Sequence, residues 1–392
     1  MKRILYISLI AALVASFTSC KDQDDIYKQW VVPGGSVYPE KANGLKAKLG
    51  YKRVQLKWAA PKDPSVAKAV ITWDNGDQTK ELDYASYAGQ DSIFLEIDQL
   101  KEQSYTFNIV NYDKDGNKSM QSENTASPYG DIWLSTHSER TIKSAEIPSG
   151  TNANITVDFG TNEMIATKFR YINNDGEWVV TEPVPSAQTS IVFENAKVGT
   201  RYQYCSGYCP SEGLDTIWNE WSNSPTPIAG KLSHANWSVE AAGYSNGYPP
   251  ENAIDGVISG NFANSWWWNE KATFPKIFLV DMGNETTFIN KIVLYQNSGS
   301  WYSGRTLFNV ECYAGNEKFD INAGADYANT PAFQNAVFKH TTMKLWNSSA
   351  SATWNLGEMK NFRYFCFVIK DSRRNGSAIN EIDAFGYDNS AE

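Results

Sequence analysis

Apolar and polar residues alternate along most of the chain, in short runs separated by turn residues. Clear examples are Val54–Trp58 and Ser104–Tyr112, while Asp74–Asp77 has the composition of a tight turn. A period of two is typical of strands with one buried face. Long amphipathic helices would show a longer period, and we find no such segment. The pattern therefore predicts an all-β protein.

Breaks in this strand pattern predict three β domains. Pro128–Gly130 separates a first group of strands from a second of similar size, and the Pro-rich segment Ser224–Ile228 precedes a third group. We expect domains at residues 36–128, 129–228 and 229–392. A chain of 392 residues is long enough for each of them to bury its own core.

The N-terminus has the pattern of a targeting signal. Lys2 and Arg3 precede the apolar segment Ile4–Phe17, and Cys20 follows shortly afterwards. The apolar segment is shorter than the ~20 residues that a membrane-spanning helix needs. We therefore predict export of the protein, with an ordinary secretory signal and a lipoprotein signal as the two alternatives.

A cysteine directly after such a segment resembles a bacterial lipobox. The resemblance implies a signal peptide over residues 1–19, lipidation of Cys20 and a spacer over residues 20–35. The acidic run Lys21–Asp25 resembles the export signal of surface lipoproteins in Gram-negative, glycan-foraging bacteria. Together these resemblances imply a protein that is lipid-anchored in the outer membrane and faces the cell exterior, where other surface lipoproteins are possible partners.

Composition and motifs exclude several functions. The net charge is −9, and no basic cluster is interleaved with aromatic residues, so nucleic acid is not an expected partner. Glycoside hydrolysis would need two facing carboxylates in a catalytic module, yet each segment is already assigned to a sandwich of ordinary size. The chain has three histidines, His137, His234 and His340. Their spacing does not match a zinc-binding or hydrolase motif. We therefore expect a protein that is not an enzyme.

The first two domains resemble fibronectin type III sandwiches. In the first, a Trp on an early strand is followed by the late strand Ser104–Tyr112 and the turn Asp113–Ser119. In the second, Asn173–Gly176 forms a predicted hairpin turn. The resemblance implies spacers or small adaptors. We expect their tryptophans to pack in cores or interfaces: Trp58, Trp73, Trp133, Trp178 and Trp218.

Two short motifs characterise the third domain. The turn Asn252–Gly256 precedes the aromatic strand Trp266–Trp268, and Glu381 begins a strand that reaches Gly386. This pair resembles the coagulation factor 5/8 type C (discoidin) domain, which includes the family-32 carbohydrate-binding modules. The resemblance implies a C-terminal β jelly roll whose ligand is a carbohydrate.

The same resemblance implies a structural Ca²⁺ site, because turn carbonyls and carboxylates are the ligands that Ca²⁺ prefers. Its side-chain ligands would be Asp255, Ser265 and Glu381. Its backbone ligands would lie near Asn252, Asn261 and Asn380. In the alternative interpretation, Asp255 only caps its turn and Glu381 pairs with an arginine such as Arg373.

Sugar rings stack on aromatic faces, and their hydroxyls bind planar polar side chains. The loop Gln296–Arg305 offers both kinds of residue. Compared with family-32 modules, Gln296, Ser303 and Trp268 replace the Arg, Asn and His of the galactose-type site, and Gly376 replaces an aromatic residue. The candidate ligand-binding residues are Trp268, Gln296, Asn297, Trp301, Tyr302, Ser303, Arg305 and Arg373.

The sequence thus predicts a surface lipoprotein in which two fibronectin III-like sandwiches carry a discoidin-like jelly roll. Its expected function is non-catalytic binding of a glycan, as an accessory to polysaccharide capture and uptake. The alternatives are a protein–protein adaptor and a structural stalk within an outer-membrane surface complex.

Overall fold

The computed structural model describes residues 38–161, 163–258, 264–268, 274–285, 287–296, 307–344, 350–372 and 376–389. The N-terminal signal segment and Cys20 lie outside these residues. Strands dominate the described part and its helices are short, which confirms the all-β prediction. Among the described residues, no helix has both the length and the apolar character required to cross a membrane.

The chain divides into two compact units. One runs to His137 and includes Pro210–Asp215, and the other comprises Ser138–Cys209 and the residues from Thr216 onward.

The first unit contains a two-sheet β-sandwich. One sheet has the strand order β1-β2-β5 and the other has the order β4-β3-β6-β7. Short helices span Asp74–Gly76, Tyr84–Tyr87 and Asp131–Ser135. The strands are β1 Lys46–Gly50, β2 Arg53–Ala59, β3 Val66–Trp73, β4 Gln78–Asp83, β5 Ser92–Ile97, β6 Tyr105–Asp113 and β7 Ser122–Ala126.

Alternation places the apolar residues of both sheets in one core between them. Trp58 of β2 is buried there, and its indole N–H donates to the Tyr84 hydroxyl at 3.0 Å. Tyr84 in turn donates to the Asn111 side-chain oxygen on β6 at 2.8 Å. The predicted sandwich and the core position of Trp58 are confirmed, while the fibronectin type III assignment stays a prediction.

A second sandwich begins the other unit. One sheet has the order β13-β9-β8, and the other has the order β11-β10-β14-β15, with β12 also paired to β10 and β16 to β14. The strands are β8 Ile142–Glu146, β9 Ala153–Val157, β10 Met164–Ile172, β11 Trp178–Val180, β12 Val184–Pro185, β13 Ser190–Phe193, β14 Gln203–Tyr208, β15 Ile217–Trp218 and β16 Ser222–Asn223.

A jelly roll completes this unit. Its sheets have the orders β17-β27-β21-β24, β18-β20-β25-β22-β23 and β19-β26. Short helices span Pro250–Ile254, Gly324–Asn329 and Pro331–Gln334. The strands are β17 Gly230–Lys231, β18 Ser238–Ala241, β19 Trp266–Trp268, β20 Lys276–Asp281, β21 Thr287–Tyr295, β22 Leu307–Gly315, β23 Phe338–Lys344, β24 Ser351–Asn361, β25 Tyr364–Ser372, β26 Ser377–Ile379 and β27 Glu381–Asp388.

The core of the jelly roll lies between its two larger sheets and includes the buried Trp266, Trp354 and Phe367. Cys312 and Cys366 lie on the neighbouring strands β22 and β25 and are buried free thiols.

The second sandwich and the jelly roll are joined by paired backbone. Ile228, in the expected linker, is buried, and its N–H donates to the Thr200 carbonyl at 3.0 Å. The next residue, Ala229, donates to Ala145 at 2.9 Å, and Gly230 is the β-partner of Gly386 on β27. One continuous segment therefore forms backbone hydrogen bonds with both domains.

Candidate functional site

Several strands of the jelly roll begin or end together at one edge, here called the crossover end. In one large sheet, the first residues of β20 and β22 pair with the last part of β25. In the other, Tyr295 at the end of β21 pairs with Ser351 and Glu381, which begin β24 and β27. The pair β19–β26 lies directly before β27, and the Trp268 ring at the end of β19 lies 5.2 Å from the Lys276 ammonium at the start of β20. The strand ends of the two sheets therefore lie on the same side of the jelly roll.

The described calcium candidates meet at this end. The Gly256 N–H donates to Glu381 Oε2 at 3.0 Å, which joins the turn after Asp255 to the start of β27. The Ser265 hydroxyl donates to the side-chain oxygen of Asn380. Asn252 Nδ2 donates to the Ser265 carbonyl at 3.2 Å. The remaining candidate, Asn261, lies outside the described residues.

Local sequence chemistry explains how the turn is built. Pro250 lies at the start of the short helix Pro250–Ile254, a place that suits its fixed φ and missing N–H. The helix ends at Asp255, whose Oδ1 accepts from the Val257 N–H at 2.8 Å. Gly256 has a φ of 83°, which favours glycine. The turn thereby directs the Gly256 N–H at Glu381.

Glu381 belongs to a buried polar cluster that the sequence did not reveal. The carboxylate is 0 % exposed, and its Oε1 lies 3.3 Å from His234 Nδ1. On the other side of the ring, His234 Nε2 lies 3.4 Å from Asp383 Oδ1, which also contacts Lys231 Nζ at 2.7 Å. His234 is partly buried and is the first residue of a turn, in which its carbonyl accepts from the Trp237 N–H at 2.9 Å. The signal for Asp383 was its spacing of two from Glu381, which places both side chains on one face of β27.

Burial and nearby charges shift the pKa values of Glu381 and Asp383 in opposite directions. Burial raises the pKa of Glu381 to about 7; His234 opposes this increase, while the charges of Asp383 and Asp255 add to it. Burial alone would also raise the pKa of Asp383, but the hydrogen-bonding groups of His234 and Lys231 lower it below its usual value. Glu381 is therefore the carboxylate whose negative charge is least compensated.

The residues of the turn fit a hard cation. Asp255, Ser265, Asn380 and Glu381 supply oxygen atoms of the types that Ca²⁺ binds. Glu381 Oε1 is buried and accepts no hydrogen bond from the described residues. His234 Nδ1 lies 3.0 Å from the Ile254 carbonyl, so it carries a proton and is not itself a free ligand atom. The alternative partner of Glu381, Arg373, lies outside the described residues.

Two of the ligand-binding candidates are described. Trp268 ends β19 at the crossover end, is partly buried, and packs edge-on against Trp266 with ring centroids 6.2 Å apart. Gln296 follows β21 directly and is buried, and its N–H donates to the Ala350 carbonyl at 2.9 Å. The remaining candidates lie outside the described residues: Asn297, Trp301, Tyr302, Ser303, Arg305 and Arg373.

The structure adds Lys276 to this group. Its ammonium lies 5.2 Å from the centroid of the Trp268 ring and 4.5 Å from that of Phe274. The side chain is buried, and burial lowers the pKa of Lys276 to about 8. The sequence signal was a lysine at the head of the run Ile277–Val280, whose residues are buried on both faces of the sheet.

The chain is also similar to known structures. A family 32 CBM from C. perfringens NanJ, in complex with galactose, is 15 % identical over 40 % of this chain and 99 % of that chain, with a TM-score of 0.31. A Streptococcus pneumoniae fucose binding module is 18 % identical over 40 % and 94 %, with a TM-score of 0.30. An f-lectin from striped bass (Morone saxatilis) serum is 13 % identical over 73 % and 83 %, with a TM-score of 0.32.

No curated protein matches the chain. Residues 20–217 match the family DUF4998, which is described as a domain of unknown function. This match covers the first sandwich and most of the second. The chain therefore belongs to the DUF4998 family.

Proposed function

We propose that the protein binds a carbohydrate without catalysis, through the crossover end of the jelly roll. The observation that carries the proposal is the grouping there of an indole, an amide and an ammonium group: Trp268, Gln296 and Lys276. Indoles stack on the apolar faces of sugars, and amide and ammonium groups bind sugar hydroxyls. The similar carbohydrate-binding modules and lectins agree with this proposal.

A non-catalytic role agrees with the carboxylates described at this end. Glu381 and Asp383 are buried, and they contact Gly256, His234 and Lys231. A glycosidase needs two carboxyl groups exposed to the scissile bond. Binding at a shallow single site should be weak, with a Kd on the order of 0.1–1 mM.

The binding test uses the full chain and a panel of neutral and acidic polysaccharides. Trp268→Ala and Gln296→Ala should each weaken binding of the retained glycan. Phe159→Ala removes an exposed aromatic residue from the second sandwich and should leave binding unchanged. Wild-type affinity in both crossover variants, or no binding to any glycan, would contradict the proposal, and circular dichroism checks that the variants are folded.

We also propose that the crossover end binds a structural Ca²⁺ ion. Asp255, Ser265 and Glu381 would hold it with the backbone near Asn252 and Asn380, and the ion would compensate the buried charge of Glu381. We expect calcium to raise the melting temperature of wild-type protein and to have no effect on Glu381→Gln. An equal melting temperature of the wild type in calcium and in EDTA would count against the ion.

The cellular setting is a separate part of the proposal. We infer lipidation at Cys20 and display on the outer membrane, where glycan binding would assist a polysaccharide uptake system. Labelling with a fatty-acid analogue should mark the wild type and not Cys20→Ala, and external protease should cleave the displayed protein on intact cells. A wild-type protein that takes up no label would contradict the proposed lipid anchor at Cys20.

A protein–protein adaptor is the second candidate function. It is favoured by the exposed apolar pair Val257 and Ile258, which directly follows the Asp255 turn. Binding to another surface lipoprotein that is lost on Ile258→Ser, together with no glycan binding, would favour the adaptor.

A further inference from the structure

The outer face of the second sandwich carries a row of stacked cations and indoles, here called the cation–indole ladder. The guanidinium carbon of Arg170 lies 5.4 Å from the centroid of the Trp178 ring and 4.6 Å from that of Trp221. Lys168 Nζ lies 4.2 Å from the centroid of the Trp218 ring. Two cations and three indoles therefore form one row across the sheet.

Strand pairing positions this row. Lys168 and Arg170 are two residues apart on β10, so they lie on the same face of the sheet. Gly207 on β14 pairs with Trp218, and a Cβ at Gly207 would lie 2.9 Å from the indole, so only glycine leaves room for the ring. Trp178 was expected to pack in a core or interface, yet it is 53 % exposed. The ladder is thus a surface feature.

Arg170 is held in one orientation. Its Nε donates to Gln203 Oε1 at 2.6 Å, and Gln203 Nε2 donates to Asn223 Oδ1 at 2.8 Å. Within the part of the chain that the structure describes, the two terminal nitrogens of Arg170 donate to no other group. A guanidinium that lies over two rings and is hydrogen-bonded at Nε presents its terminal nitrogens as a pair of donors.

The cations of the ladder form no ion pairs. Across the described residues, neither Lys168 nor Arg170 pairs with a carboxylate. The carboxylate of Glu139 lies in the same region, where it accepts from the Asn219 amide and the Ser222 hydroxyl. The whole chain carries a net charge of −9, so a compact positive site stands out on an acidic protein. Such a site attracts anions.

We propose that the cation–indole ladder binds the carboxylate or sulfate groups of an acidic polysaccharide. The donor pair of Arg170 matches two oxygens of either anion, and Lys168 supplies a second charge. Exposed indole edges and the amides of Gln203 and Asn223 suit the sugar ring, which favours a glycan over an acidic protein. This site is separate from the crossover end and gives the second sandwich a ligand of its own; its cations Lys168 and Arg170 lie within the DUF4998 match.

The test measures binding of the full chain to polygalacturonate, dextran sulfate and neutral dextran. Wild-type protein should bind at least one of the two polyanions and should bind dextran less, and the pair of polyanions distinguishes carboxylate from sulfate. Arg170→Gln should weaken that binding about tenfold or more, because charge-assisted hydrogen bonds are lost. Arg170→Lys keeps the charge but loses the paired donors, so we expect a smaller but clear loss.

Controls separate the ladder from general electrostatics. Lys143→Gln removes one positive charge from the same sandwich, away from the ladder, and should bind like the wild type. Phe159→Ala, which removes an exposed aromatic residue of the same sandwich, should also keep the polyanion affinity. Equal losses in Lys143→Gln and Arg170→Gln, loss in Phe159→Ala, or no preference for polyanions over dextran would overturn the proposal. If Arg170→Gln fails to fold, Lys168→Gln takes its place.

Discussion

A buried arginine that, among the described residues, pairs with backbone carbonyls and with no carboxylate stabilises the second sandwich. Arg140 is 2 % exposed, and its Nε donates to the Asp158 carbonyl at 2.7 Å. Its terminal nitrogens donate to the carbonyls of Pro185, Ser186 and Gln188. One guanidinium thus donates to four backbone carbonyls, of which those of Pro185 and Ser186 also accept from the Gln188 and Gly160 N–H groups.

Arg140→Met should therefore lower the free energy of unfolding of this unit by about 3 kcal/mol, since several buried acceptors lose charged donors together. Urea denaturation measures the loss. Lys143→Met, at an exposed position nearby, should change stability by less than about 0.5 kcal/mol. Equal stability of the two variants would show that water replaces the guanidinium without cost.

Lys276 makes the stability of the jelly roll depend on pH. Its pKa of about 8 is lower than the ordinary value of 10.5, so between these pH values the unfolded chain binds more protons than the folded chain. The contribution of Lys276 to the free energy of unfolding therefore rises with pH across this window. Below pH 8 the lysine is charged in both states, and its full burial cost is present.

We expect Lys276→Met to be more stable than the wild type at pH 7, by about 1–3 kcal/mol, and to lose most of this advantage by pH 10. Denaturation of both proteins at each pH measures the difference and cancels other titrating groups. A stability difference that stays constant from pH 7 to pH 10 would mean that Lys276 keeps an ordinary pKa.

At the residue scale, the resemblance to the discoidin motifs pointed to Asp255 and Glu381, which the structure brings to one end of the jelly roll. His234 was not predicted as their neighbour, because a lone histidine in a loop shows no periodicity and its contacts are distant in sequence. The role of Arg170 in the cation–indole ladder was not predicted, for the same reason. Alternation shows on which face of the sheet Arg170 lies, but it does not show that Trp221, some fifty residues later, lies against it.

At the scale of elements, β27 is an inner strand that holds one sheet of the jelly roll together. It pairs with β17 on one side and with β21 on the other. At Gly386, opposite Ile289, an added Cβ would lie 1.8 Å from the Phe288 carbonyl oxygen. The register of β21 shifts immediately afterwards, between Ile289 and Lys291. Glycine therefore permits the close approach on which this bulge depends.

Gly386→Ala should lower the free energy of unfolding by more than about 3 kcal/mol, because backbone must move to admit the methyl group. Gly315→Ala is the matched change at the end of β22, where the nearest atom would lie 3.5 Å from the new Cβ. It should change stability by less than about 1 kcal/mol. Thermal melts of the two variants decide the prediction, which fails if both melt alike.

The alternation of apolar and polar residues predicted most long strands. It did not predict the short strands and register shifts that determine how the long strands pair. The aromatic strand Trp266–Trp268 and the final strand were expected, and both are present. The two-residue strand Gly230–Lys231 was not expected, because a pair of residues has no period. The shift after Ile289 also leaves no local pattern, since it is set by partners on β24 and β27.

At the scale of the whole molecule, the second sandwich and the jelly roll share the segment from Ile228 to Lys231. We expect them to unfold in a single calorimetric transition. Inserting four Gly/Ser residues between Ala229 and Gly230 should split that transition, because the segment could no longer pair with both domains in one register. The same insertion at the exposed Asp175–Gly176 turn is the control. A wild type that already shows separate transitions for the two domains would contradict this prediction.

The layout of β27 also has a mechanical consequence. Glu381, at its beginning, lies at the crossover end, while Phe385 and Gly386, near its other end, pair with β17 and so with the segment that enters from the second sandwich. A polymer bound at the crossover end, as proposed above, would load β27 along its length when it is pulled. The hydrogen bonds from β27 to its neighbours would then resist together, in shear, instead of opening one at a time as in a peeled strand. The strand that carries Glu381 would thus also hold the domain together under tension.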